Sequence, residues 1–79
     1  MNNQKRNIAG ERIKIARKLS NPKITQLELS ARLQLQDVLI GDSTIGKIEN
    51  GTSAVTDIQL IAFSEALNIS VLWLLGLND

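Results

Sequence analysis

Residues 25–51 hold two helix signatures close together, and their spacing leaves little choice of architecture. Thr25 opens the first with Glu28 three residues on, a capping box in which each side chain meets the other's exposed backbone donor. Ile24 and Leu29 bracket that cap as a hydrophobic staple. The second helix sets Ile45 and Ile48 inward and Ser43, Thr44 and Lys47 outward, then stops at Asn50 and Gly51, a natural left-handed ending. The segment reads as two short helices joined by one connection.

The flanks follow the same grammar. Ala9, Ile13 and Ala16 form a stripe that predicts helix 1 over 7–19, and Pro22 ends it because the residue before proline avoids helical geometry. Helix 2 is expected to bury Leu29, Ser30 and Leu33, and helix 3 to start at Asp42 as its N-cap. Thr56 and Gln59 make a second capping box, with Val55 and Leu60 as its staple. Ile58, Leu60, Ile61, Ala62, Phe63, Ala66 and Leu67 then make helix 4 apolar on nearly every side, which predicts the most buried helix. Asn68 ends it. Ser70 caps a fifth helix over 71–75, stapled by Ile69 and Leu74. Five helices with short connections and no strand pattern predict a compact all-α bundle. Residues 1–79 read as a single domain, with 1–6 as a flexible basic arm.

Composition removes most chemistries. With no histidine and no cysteine, imidazole acid–base work, disulfides and thiolate or imidazole metal sites are out, so neither metal nor cofactor is expected. The absence of cysteine also suits a reducing cytoplasm. The longest apolar run, residues 71–75, is far too short for a bilayer. Ser43 and Lys47 lie at i, i+4 like a nucleophile and base, but nothing supplies an oxyanion hole or a substrate pocket, so no enzyme is expected. One Phe and one Trp leave an aliphatic core.

Charge is more telling in its distribution than in its sum of +1. Residues 1–32 carry eight Lys and Arg against Glu11 and Glu28, whereas residues 33–79 carry Lys47 against six carboxylates. One half is suited to phosphates and the other to protein or water. An ordinary solvated first helix accounts for the basic half equally well.

In their order, these residues resemble the lambda-repressor-like, or Cro-like (Xre), helix-turn-helix DNA-binding domains. The matching text is Gly10-Glu11-Arg12-Ile13 with Ala16-Arg17, then Thr25-Gln26 through Leu33. It continues with Ser43-Thr44-Ile45-Gly46-Lys47-Ile48-Glu49-Asn50-Gly51, Thr56-Asp57 through Leu67, and Ser70 through Leu75. The resemblance covers residues 8–76 and implies double-stranded DNA as partner and a repressor acting as a homodimer on a palindromic operator.

By position it implies that Gln26 bonds a phosphate and buttresses helix 3, and that Ser43, Thr44 and Lys47 face base edges or nearby phosphates. Asn50, Thr52 and Ser53 fall where such proteins touch the backbone after the recognition helix. Arg17 and Glu49 match an ion pair that ties helix 1 to the end of helix 3. Two connections depart from the pattern. Ser20–Lys23 makes the first about two residues longer than the pattern and Gln34–Gly41 makes the second about five longer, so helix 2 is expected to extend into a tucked turn with Leu35 and at least one of Val38, Leu39 and Ile40 packed.

Several residues carry two readings. Lys47 suits guanine O6 and N7, or a phosphate. Gly46 fits close approach to DNA or close packing against helix 2. Leu72, Trp73 and Leu77 make the last helix apolar enough for self-association, or simply cover the core. The rival function is a protein-interaction module such as an antitoxin, served by the acidic half and the apolar last helix.

Overall fold

The computed structural model describes residues 4–77. It places five helices in chain order: α1 (Gly10–Leu19), α2 (Gln26–Gln34), α3 (Asp42–Glu49), α4 (Asp57–Leu67) and α5 (Val71–Leu74). The fold is the all-α helix-turn-helix bundle expected, with no strand among the described residues. Ile13, Leu29, Leu33, Ile45, Ile48, Phe63 and Leu74 are fully buried, and one residue each from α1, α4 and α5 with two each from α2 and α3 makes one shared core.

Both capping boxes form. Thr25 Oγ1 accepts from the Glu28 N–H at 3.0 Å while Glu28 Oε1 accepts from the Thr25 N–H at 3.0 Å. That backbone bond, then the Thr25 side chain, holds the Glu28 carboxyl below its usual range. Thr56 and Gln59 repeat the exchange at 3.1 and 3.0 Å, and Ser70 Oγ accepts from the Trp73 N–H. α1 ends in an extended Ser20, but the exits of α2 to α5 are equally uniform. Asp37, Gly51, Asn68 and Gly76 all take positive φ, and the residue after each sends its N–H back to a carbonyl five positions earlier.

The structure corrects several expectations. α3 is capped by Gly41 without a side-chain bond, and Asp42 is its first residue; the carboxylate still lies in the first turn, where the helix dipole favours it. On α1 the buried stripe runs Ala9, Ile13, Arg17, with Ala16 only half-buried, because Arg17 is drawn inward by a partner on α3. α4 is not the most buried helix: Ile58 and Ile61 are more than half exposed. A bundle this small has too few neighbours to cover an all-apolar helix on every side.

Between α2 and α3, α2 stops at Gln34 and the turn closes through left-handed Asp37, with the Val38 N–H donating to the Leu33 carbonyl at 3.1 Å. Ile40 is buried and Val38 packs on the core, as expected of the apolar trio. Leu35 does not pack; it is 88% exposed. The reversal that seats Val38 turns Leu35 to the outside. Ser30 Oγ donates to the Ile40 carbonyl and Gln36 Nε2 to the Ala62 carbonyl, so the longer connection is tied down at both ends.

Residues 1–3 of the expected arm lie outside the described residues. Its described end is fastened: the Arg6 N–H donates to the Gly51 carbonyl at 2.8 Å, and Lys5 Nζ lies 3.7 Å from Glu11.

Candidate nucleic-acid interface

α3 buries Ile45, Ile48 and Glu49 and exposes Ser43, Thr44, Lys47 and Asn50. Ser43, Lys47 and Asn50 stand at i, i+4 and i+7, so they form one line along the outer face, with Thr44 to its side. Ser53 is half-buried just past the helix and Thr52 is exposed beside Asn50. The structure therefore gathers the sequence-predicted residues at α3 and its exit, and adds Gln26 from the first turn of α2.

A buried carboxylate sets the position of that helix. Glu49, 5% exposed, accepts from Arg17 Nε at 2.7 Å on Oε2 and from Arg17 Nη2 at 2.9 Å on Oε1. Arg17 Nη1 donates to the Ile24 carbonyl at 3.0 Å, just ahead of α2. This two-pronged bond raises the guanidinium pKa above its ordinary range, against the opposing effect of burial. Gln26 Nε2 adds a third bond to Oε1 at 3.1 Å. One side chain at the end of α3 thus holds α1, the entry to α2, and the Gln26 amide.

Gly46 opens the room for that amide. A Cβ there would stand 3.4 Å from Gln26 Nε2, in ordinary contact, so any longer side chain would compete for the amide's place. Of the two readings of Gly46, close packing against α2 is the geometry found.

Two residues to which the sequence assigned no role, Asn7 and Gly10, clamp α1 to the exit of α3. Asn7 Nδ2 donates to the Ile48 carbonyl at 3.1 Å and to the Ser53 carbonyl at 2.7 Å, while its Oδ1 accepts from the Gly10 N–H. The only available signal was that asparagine is a favoured N-cap residue. Gly10 then meets α3 backbone to backbone: a Cβ on it would fall 1.9 Å from the Ile48 carbonyl oxygen. No periodicity argument reveals such a contact.

The basic half divides into two groups. Arg12 stacks 4.7 Å from the Trp73 ring centroid and donates to its carbonyl, Arg32 donates to the Ala66 carbonyl, and Arg17 is buried. Lys5 lies against Glu11, whereas Arg6, Lys14, Lys18 and Lys23 remain exposed cations, joined by Lys47 on α3. Fewer positive charges are thus free for phosphates than the sequence count suggests.

Among the described residues, no three His, Cys, Asp or Glu side chains are grouped to hold a metal ion, and no helix is long and apolar enough to cross a membrane. A family model described as helix-turn-helix matches residues 13–74, from the middle of α1 to the end of α5. No curated protein and no solved structure matches the chain.

Proposed function

The chain belongs to the helix-turn-helix family of Xre and lambda-repressor type, DNA-binding transcriptional regulators, and from that premise we propose that it acts as a repressor, binding a palindromic operator as a homodimer. The observation that carries this reading is the outer line of Ser43, Lys47 and Asn50 on a helix whose inner face is sealed by Ile45, Ile48 and Glu49. Short hydroxyls and one lysine let that helix lie deep in the major groove, while Gln26 and Asn50 serve phosphates at its two flanks. Ser53 and the exposed cations extend the backbone contact.

Duplex binding measured over a range of salt tests the class of function. Each phosphate neutralised contributes about −0.9 to the slope of log K against log salt. A flat, weak response would favour the protein-interaction reading, which draws support from the exposed Leu35, Leu39, Ile58 and Ile61. Within the DNA-binding reading, Lys47→Ala is expected to weaken operator binding by roughly 1–3 kcal/mol while sparing random duplex. Gln26→Ala should weaken both alike. Equal losses on operator and random duplex for Lys47→Ala would make that lysine a phosphate contact.

One short recognition helix reads only a few base pairs, too few against the competing sites of a genome, so two copies acting together supply the missing discrimination. Leu72 and Leu77, 51% and 73% exposed, offer the apolar surface for pairing. Trp73 contributes its half-exposed edge, since Arg12 already covers its ring from within. Leu72→Asp is therefore the cleaner probe than Trp73→Ala. It should give a folded monomer with much weaker operator binding, read by sedimentation and titration; a wild-type chain monomeric at high micromolar concentration, free and on DNA, rules the dimer out.

A further inference from the structure

A side-chain amide has a donor end and an acceptor end, and which end faces out decides what it can bind. For both amides at this interface the choice is forced from inside the fold. A carboxylate only accepts, so the Gln26 end nearest Glu49 Oε1 must be its nitrogen; Oε1 and one remaining N–H are left for the outside. Asn50 is fixed in the opposite sense. Its Oδ1 lies 3.0 Å from the Thr52 backbone N and 2.8 Å from Thr52 Oγ1. That N–H is shared with the Lys47 carbonyl at 2.9 Å, but it only donates, so an NH2 group in the place of Oδ1 would still set donor against donor. Asn50 therefore turns its whole NH2 group away from Thr52, with both hydrogens unspent.

We infer that Thr52 and Glu49 are positioning residues that preset Asn50 and Gln26 for DNA, with Gly46 as the gap that admits the Gln26 amide. The inference rests on the DNA-binding reading above and refines it. Thr52 works through Asn50: its single hydroxyl proton is engaged by Asn50 Oδ1 or by the Lys47 carbonyl at 3.2 Å, leaving none for phosphate. Asn50 meets phosphate oxygens as a pure donor, which matches groups that only accept. Gln26 offers a donor and an acceptor side by side, so it can serve a phosphate with its N–H and a base-edge donor with its oxygen. Both amides enter the complex already oriented, so less freedom is lost on binding than by a free side chain.

The test is a pair of double-mutant cycles on duplex binding at fixed salt. Thr52→Val removes the hydroxyl at nearly constant shape, leaving the backbone N–H as the one restraint on Asn50 Oδ1, and is expected to weaken binding about two- to fivefold, with Thr52→Ser restoring it. In an Asn50→Ala background Thr52→Val should cost nothing more. At the other flank Gly46→Ala should bind like wild type, because a methyl just fits. Gly46→Leu should lose about three- to tenfold, a loss that disappears in a Gln26→Ala background. Losses that persist in the alanine backgrounds would show that Thr52 and Gly46 meet DNA directly and would overturn the inference. All of these are surface or gap positions whose folding is checked by thermal melting. If the wild-type chain itself shows no salt-dependent duplex binding, the DNA-binding reading fails first, and this inference with it.

Discussion

Gly10→Ala should destabilise the fold by about 3 kcal/mol or more, beyond the 1–3 kcal/mol of ordinary overpacking. The added methyl would fall 1.9 Å from the Ile48 carbonyl oxygen and 2.9 Å from Asn7 Oδ1. Backbone cannot swing aside as a side chain does, so α1 would have to lift from the end of α3. Lifting it also strains the Asn7 bonds to the Ile48 and Ser53 carbonyls. Gly10 is the first residue of α1, so alanine's better helix propensity recovers only a fraction of a kcal/mol there. For a domain of this size the loss corresponds to a fall in melting temperature of roughly 12 °C or more. A wild-type melting curve for Gly10→Ala would mean that the two helices stand farther apart than described.

Glu49→Ala has a comparable effect by a different route, about 3–5 kcal/mol, because it strands the Arg17 charge in a site 9% exposed. The penalty is that of an unpaired buried charge, and removing both charges should lift most of it. Arg17→Met with Glu49→Leu is expected to recover near-native stability in chemical denaturation. That double variant still lacks the anchor for Gln26, so its duplex affinity should stay below wild type although its stability returns. If affinity returned with stability, the Gln26–Glu49 bond would have no part in binding.

What the sequence discloses are the features written in short, local patterns. The Thr25–Glu28 and Thr56–Gln59 boxes, the Asn50-Gly51 exit and the inner face of α3 each need only a few adjacent residues to be recognised, and each formed. Features decided between elements were harder to read. Arg17 and Glu49 came from the family pattern, since nothing in either helix alone shows that the charges meet. The Asn7 clasp, the Gly10 contact and the Arg12–Trp73 stack have no periodic signature at all. Leu35 was misplaced because Asp37 in the left-handed region, a conformation asparagine and glycine adopt more often, reverses the chain two residues beyond it. The exposed side of α4 was lost for a global reason: apolar residues inside one helix say nothing of how many neighbours the bundle can provide.

The clasp of α1 on α3 is made to backbone carbonyls, those of Ile48, Gly51 and Ser53, and owes nothing to the outward side chains of the helix it grips. Ser43, Thr44 and Lys47 are exposed and take part in no side-chain hydrogen bond or ion pair among the described residues. At these three positions, unlike Gln26 with its bond to Glu49, scaffold and outward surface are therefore separable. Substitutions at those three positions should alter stability by only about 0.5 kcal/mol either way, the usual range for surface changes away from structural contacts. A helix held by its main chain and by one inward carboxylate, Glu49, is a mount on which the outward side chains can be exchanged. Under the reading proposed above, new duplex sequence preferences are open to this chain through changes at very few positions, without refitting the bundle that carries them.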